Sequence, residues 1–300
     1  MFKVHVLMYC GYSVFGSYSA LVSKDGKLKI NEANKSHPLT HYMICQSNRL
    51  IFKKQFVSDS NPRCVTLQFL EHVSTIGVVE HELILPTTLN GKNLAVYVAA
   101  HPSGFVVWSD NDEPANTFPT FFEALVSIAT PFQFDESHML TKLLSLEVLY
   151  VGRTEIKKNY LRIDGHEKYA RAADDIIRSR PYKELFLKLH NFDNPTWMVA
   201  ENEENVERKL RSIRDLAKKH GHPAWITLFE AALIYHLKPY LNVHFKNIFL
   251  SPKHIGYKHL LDIGINTADI IIDESLRSYC TKRTDNSYTR KLQFTFPLGS

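Results

Sequence analysis

The residue most suggestive of chemistry in this 300-residue chain is Glu230. It stands in Trp225–Leu237, a run that is apolar nearly all round and so predicts a central helix. At helical spacing its neighbours are Ile226, Thr227, Leu233, Ile234 and Leu237, so the carboxylate projects from an apolar face. An ionised carboxylate there needs a metal, a cation or a raised pKa to offset its lost hydration. An arginine partner is the plain alternative, and on this helix alone the two readings stand level. Leu237-Lys238-Pro239-Tyr240-Leu241-Asn242 ends the helix at a proline and places an asparagine beyond it, which by itself reads as a turn cap. Upstream, Leu146–Gly152 is a short apolar strand ending in Tyr150-Val151-Gly152, followed by Arg153, Arg162 and His166. Arg162 and His166 have i, i+4 spacing, although Asp164-Gly165 can delay the helix start.

In series, Tyr150-Val151-Gly152, Arg162-x-x-x-His166, Glu230 in Glu-Ala-Ala-Leu-Ile and Pro239-x-x-Asn242 resemble the GIY-YIG nuclease superfamily, over roughly residues 146–245. The resemblance implies a small α/β GIY-YIG-like nuclease domain, which, with the β-rich N-terminal domain that the strand patterning predicts before it, makes an α+β chain. It implies a metal-dependent endonuclease that hydrolyses phosphodiester bonds in DNA, with a restriction or anti-phage role by analogy. Glu230 would hold Mg²⁺ or Mn²⁺, a hydrated, oxygen-liganded ion that stabilises the leaving oxygen. Arg162 would bind a non-bridging phosphate oxygen, Tyr150 or His166 would orient or deprotonate the attacking water, and Asn242 would hold the site together. Gly152 and Arg153 are expected beside the nucleic acid. The family's first motif, a strand with its own tyrosine shortly before the second, has no counterpart here, since no tyrosine lies between Phe118 and Leu149. Either that strand is supplied in altered form, or the site uses one tyrosine and His166, or hydrolysis has been lost. The alternative functions are accordingly a catalytically inactive nucleic-acid-binding fold and a protein-interaction module.

Other constellations are less specific. His220-Gly221-His222 lies at a helix end, where histidine complements the dipole. Lys253 and Lys258, beside His254 and His259, are expected as a phosphate-contacting patch. Lys282, Arg283, Arg290 and Lys291 interleave with Tyr279 and Tyr288 in a basic tail. No P-loop, G-x-S-x-G, H-E-x-x-H or G-x-G-x-x-G appears, which moves nucleotide hydrolysis and the common serine and zinc hydrolases down the list.

The elements that must position these residues divide into two regions. Val4–Met8, Tyr42–Cys45, Leu50–Phe56, Cys64–Phe69, Gly77–Leu85, Asn93–Ala99 and Gly104–Trp108 read as strands, with Lys24-Asp25-Gly26 a turn and Asn90-Gly91 a hairpin signal. Helical spacing then covers Phe121–Ala129, Glu136–Leu146, His166–Arg180 (Asp164 and Glu167 forming a capping box) and Glu201–His220, with a late strand at Asp269–Asp273. The expected division is 1–139, a β-rich recognition or regulatory domain, and 140–300, the nuclease-like domain with its basic tail. Residues 1–144 carry 11 Lys+Arg against 12 Asp+Glu, and 145–300 carry 25 against 19, so the excess positive charge sits with the second region and suits a polyanion. Four scattered cysteines without a C-x-x-C pair fit reduced thiols, and no apolar run reaches the length of a membrane span. A cytoplasmic nucleic-acid partner is expected, with no membrane, and with a homo-oligomer or protein contact through the first region.

Overall fold

In chain order the elements are β1 (Val4–Leu7), β2 (Cys10–Ser17), α1 (Tyr18–Val22), α2 (Lys24–Ser36), β3 (His41–Asn48), β4 (Leu50–Ser58), β5 (Asn61–His72) and β6 (Val78–Pro86). There follow β7 (Thr88–Leu89), β8 (Lys92–Asn93), β9 (Tyr97–His101), β10 (Gly104–Trp108), β11 (Asn116–Phe118), α3 (Phe121–Ala129) and α4 (Met139–Leu143). The remainder is β12 (Leu146–Arg153), α5 (Glu167–Ser179), β13 (Lys183–Phe192), β14 (Thr196–Val199), α6 (His222–Leu237), β15 (Thr267–Asp273), β16 (Tyr279–Cys280) and β17 (Lys291–Pro297). This computed structural model describes residues 4–7, 10–58, 61–86, 88–89, 92–93, 97–101, 104–108, 116–129, 139–154, 166–192, 196–199, 211, 215, 222–247, 267–273, 279–280 and 291–297.

Several antiparallel sheets accompany the helices, an α+β mixture. The largest sheet has the order β16-β12-β3-β13-β2, with β3 at its centre, antiparallel to both β12 and β13. Strands from residues 10–48 therefore share a sheet with strands from residues 146–192. The boundary expected at 139/140 runs through this sheet, because the long-range pairing of β3 was not visible in local patterning. Three of the sheet's strands, β2, β13 and β16, carry no strand signal in the local patterning.

Alternation along β3 gives each face its own core. Met43 and Cys45 join β12's Val148 and Val151, α3, and Leu228, Phe229, Ala232 and Leu233 of α6 in one buried cluster. Tyr42 and Ile44 join Leu149, Leu187, Leu189, α1, α2 and Ala172 of α5 in the other. Lys24-Asp25-Gly26, expected as a turn, opens α2, with Ser23 accepting a hydrogen bond from the Gly26 N–H. Gly26 is buried against the backbone of Ala20 and Leu21, which leaves no room for a Cβ and explains a glycine within a helix. Of the helix expected over Glu136–Leu146, α4 covers Met139–Leu143, residues 136–138 lie outside the described residues, and Leu146 already belongs to β12. Most of Glu201–His220 lies outside the described residues.

Two local devices aim β12. An extra residue, Leu149, bulges between the pairs Val148↔Cys45 and Tyr150↔Ile44. Without it Tyr150 would share the face of Val148; the bulge turns it onto the face of Tyr42. Downstream, Lys238 adopts positive φ (46°) as α6 ends, and Pro239 begins a turn that the Asn242 N–H closes onto the Pro239 carbonyl. The Leu241 N–H then donates to the Leu149 carbonyl, while buried Asn242 accepts from the Val151 N–H (2.9 Å) and donates to its carbonyl (2.8 Å). Asn242 thus completes the β12 edge as a neighbouring strand would. Asn242→Ala should lower stability by about 2–4 kcal/mol, since it orphans two buried backbone groups; urea unfolding measures this, and a change within error would remove the edge-completing role.

Candidate active site

At the Arg153 end of β12, three side chains, Tyr42, Tyr150 and His166, meet on the face of α5. Tyr42 is the register partner of Gly152. A Cβ on Gly152 would lie 2.5 Å from the Tyr42 ring, so glycine is the residue that lets this ring cross the strand. The Tyr42 hydroxyl stands 2.7 Å from His166 Nε2, with the two residues 124 positions apart in sequence. Tyr150 completes the group, its ring centroid 5.9 Å from that of Tyr42 and 5.3 Å from that of His166.

His166 is the N-cap of α5, the place expected for Asp164, which lies outside the described residues. Its Nδ1 accepts a hydrogen bond from the Lys168 N–H at 3.2 Å. An accepting Nδ1 carries no proton, so in the neutral ring the proton is on Nε2 and is donated to the Tyr42 oxygen. His166 is thereby occupied as a cap at one nitrogen and as a donor at the other, and the group with a hydroxyl proton left to direct is Tyr42.

Across the sheet, Arg153 reaches α6. Its Nε lies 3.3 Å from Glu230 Oε2, and its Nη1 donates to Thr227 Oγ1. The Glu230 side chain is 15% exposed and that of Arg153 41%. The expectation that Glu230 needs a cation among apolar neighbours is met by an arginine in this structure. Among the described residues no group of three or more His, Cys, Asp or Glu side chains could hold a metal ion. A site with fewer than three such side chains suits a hydrated Mg²⁺ sharing its shell with water and phosphate oxygens, and does not suit zinc.

His41 ties the two faces together. It is fully buried, its Nε2 lies 2.8 Å from the Ile226 carbonyl in the first turns of α6, and its Nδ1 lies 2.9 Å from Thr40 Oγ1. A carbonyl only accepts, so Nε2 carries the proton and Nδ1 accepts from the threonine hydroxyl. Burial lowers the His41 pKa to about 4; its bond to Ile226 opposes that and the nearby Arg153 charge adds to it. The unfolded chain then binds a proton between about pH 6.5 and 4 that the folded chain refuses, so this group's contribution to stability falls as pH drops through that window, by about 3 kcal/mol in all. Glu184, raised by burial to about 7, acts in the opposite direction, losing stability as pH rises. The difference between wild type and His41→Gln isolates the histidine: the stability gap should shrink steadily from pH 6.5 to 4, and a constant gap would show that His41 is charged when folded.

The structure brings Tyr150 and His166 together and sets Arg153 on Glu230, with Gly152 between the two groups and Asn242 behind the strand. Arg162, Lys253 and Lys258 lie outside the described residues, as do His220, His254 and His259. Sequence reasoning missed Tyr42 because it sought the tyrosine just before Tyr150. The available signal was Thr40-His41-Tyr42-Met43-Ile44, a β-rich run of the right character far upstream. A polar cleft of about 480 Å³, lined by Gln46, Glu71, His81, Glu147 and Lys183 among others, lies at the opposite end of β3 and β12 and shares no residue with this group. Among the described residues no helix is long and apolar enough to cross a membrane. Comparison with protein-family models, with curated proteins and with solved structures finds no match. Gly152→Ala should displace the Tyr42 ring and destabilise the fold by about 1–3 kcal/mol; a crystal structure with the Tyr42–His166 bond intact would contradict that.

Proposed function

We propose that the chain is a divalent-metal-dependent endonuclease of the GIY-YIG type that hydrolyses DNA, its first tyrosine being Tyr42. The observation carrying this reading is the Tyr42–Tyr150–His166 group, formed by two antiparallel strands in which Tyr42 faces Gly152. A second tyrosine strand is what the motif series lacked, and β3 supplies one out of sequence order. The finer architecture proposed is a nuclease-like unit built from β3, β12, β13, α5 and α6, with the remaining sheets as additions that select or regulate the target.

In this reading Tyr42 and Tyr150 orient the attacking water. Tyr42 acts as the phenolate, its hydroxyl proton having been released to solvent, and His166 stabilises that charge by donating from Nε2. The phenolate takes the water's proton as the water oxygen bonds to phosphorus and the bond to the leaving oxygen breaks, and the leaving oxygen takes a proton from solvent. Glu230 would hold the cation, whose chemistry is to neutralise charge on the leaving oxygen and phosphate. Arg162 retains its proposed role on a non-bridging oxygen, and Asn242 acts on β12, not on substrate.

The test is supercoiled-plasmid nicking with Mg²⁺ or Mn²⁺ against EDTA. Tyr42→Phe and Glu230→Gln should each lower turnover by about 10²-fold or more while leaving DNA affinity within a few-fold. Full activity in Tyr42→Phe would remove the tyrosine from the mechanism. No cleavage by wild type, with binding that weakens as salt rises, would favour an inactive nucleic-acid-binding fold.

A further inference from the structure

We propose that Arg153 is the built-in counter-ion of Glu230: it competes with a divalent cation for that carboxylate and is released toward phosphate when the cation binds. The inference rests on reading Glu230 as the metal ligand. Without a cation, a carboxylate flanked by buried Ile226, Leu233, Ile234 and Leu237 requires positive charge close by, and Arg153 Nε at 3.3 Å supplies it. The second arm of the guanidinium is held by Thr227, one turn before Glu230 on the same helix, so both contacts lie on α6.

The exchange is one of side chains. The backbone around Arg153 is fixed by Asn242 on Val151, by the Arg153↔His41 register and by the Thr154 N–H on the Thr40 carbonyl. Arg153 is the more exposed partner and can swing into solvent without losing hydration, whereas Glu230 projects from a packed helix and stays. Among the described residues no group of three or more His, Cys, Asp or Glu side chains is present, so a cation on Glu230 would take much of its shell from water and phosphate. A guanidinium at ion-pairing distance therefore opposes binding directly. Once displaced, its planar fork stands next to Gly152 with two donors suited to a phosphate. Cation and substrate would then assist each other, since a phosphate that takes Arg153 leaves Glu230 free for the metal.

The experiment is a Mn²⁺ titration of the full chain, followed by electron paramagnetic resonance at low ionic strength. Wild type, Arg153→Met, Arg153→Gln, Arg153→Lys and Arg153→Met/Glu230→Gln are compared, with circular dichroism establishing which are folded; two neutral variants are used so that misfolding of one leaves the other. Either neutral variant should bind Mn²⁺ about tenfold or more tightly than wild type, Arg153→Lys should stay near wild type, and the double variant should lose the gain. Unchanged affinity in the folded neutral variants, tightening that persists in the double variant, or no binding by any protein would overturn the proposal. Plasmid nicking by the same proteins separates the two readings. A wild type that does not cut, beside a Glu230-dependent tightening in Arg153→Met, would sink the nuclease reading alone; a wild type that cuts, beside unchanged Mn²⁺ affinity, would sink the counter-ion alone.

Discussion

The crossing of the Tyr42 ring over the bare backbone of Gly152 is the contact on which the rest of the arrangement depends. Any side chain at 152 would occupy the ring's own space, and with the ring displaced its hydroxyl would no longer meet His166. The contact demands that β3 lie against β12 in one register. A slip of a single residue would turn Tyr42 to the opposite face and bring His41 in its place. The bulge at Leu149 belongs to the same constraint, since it brings Tyr150 to the face on which Tyr42 already stands.

The dipeptide His41-Tyr42 addresses two helices at once. Because successive strand residues point to opposite faces, His41 bonds the α6 backbone at Ile226 while Tyr42 bonds the N-cap of α5 at His166. Helix α6 carries Thr227 and Glu230, so one short stretch of β3 sets where the carboxylate and the aromatic group stand across the sheet. A buried histidine is a costly way to fill space, and an apolar side chain would pack against Phe192 and Phe229 equally well. What the imidazole adds is direction. Its two bonds run to the threonine just before its own strand and to a helix carbonyl 185 positions away, and they fix the turn of α6 that faces the strand.

The strand edge is handled with equal economy. Among the described residues β16 covers β12 at Leu146 and Glu147, and farther along the strand the Leu241-Asn242 turn meets the backbone groups of Leu149 and Val151. The spacing from Glu230 to Asn242 follows from this. Two turns of helix remain after the carboxylate, Lys238 stops the ladder in the left-handed region, and Pro239 directs the chain back along the strand. The asparagine side chain, with one donor and one acceptor in a peptide-like plane, matches the two groups it meets.

From its sequence alone the chain shows that α6 is apolar and central, that Glu230 is out of place on it, that β12 ends close to Gly152, and that a helix begins close to His166. These are local matters, settled by periodicity, proline and glycine. Its sequence also marks several short strands in the first region, with β10, most of β4 and β6 and half of β5 where expected, but it reads Lys24-Asp25-Gly26 as a turn, because glycine's need for close approach to α1 has no local signature. Only the tertiary structure decides that β3 inserts between β12 and β13. Pairing of strands that lie more than a hundred residues apart in sequence is selected by the two cores each strand must fill, and nothing in the neighbourhood of Tyr42 names its partner. For the same reason Arg153 on Glu230, His41 on Ile226 and Tyr42 on His166 join residues whose separate spacings carry no trace of one another.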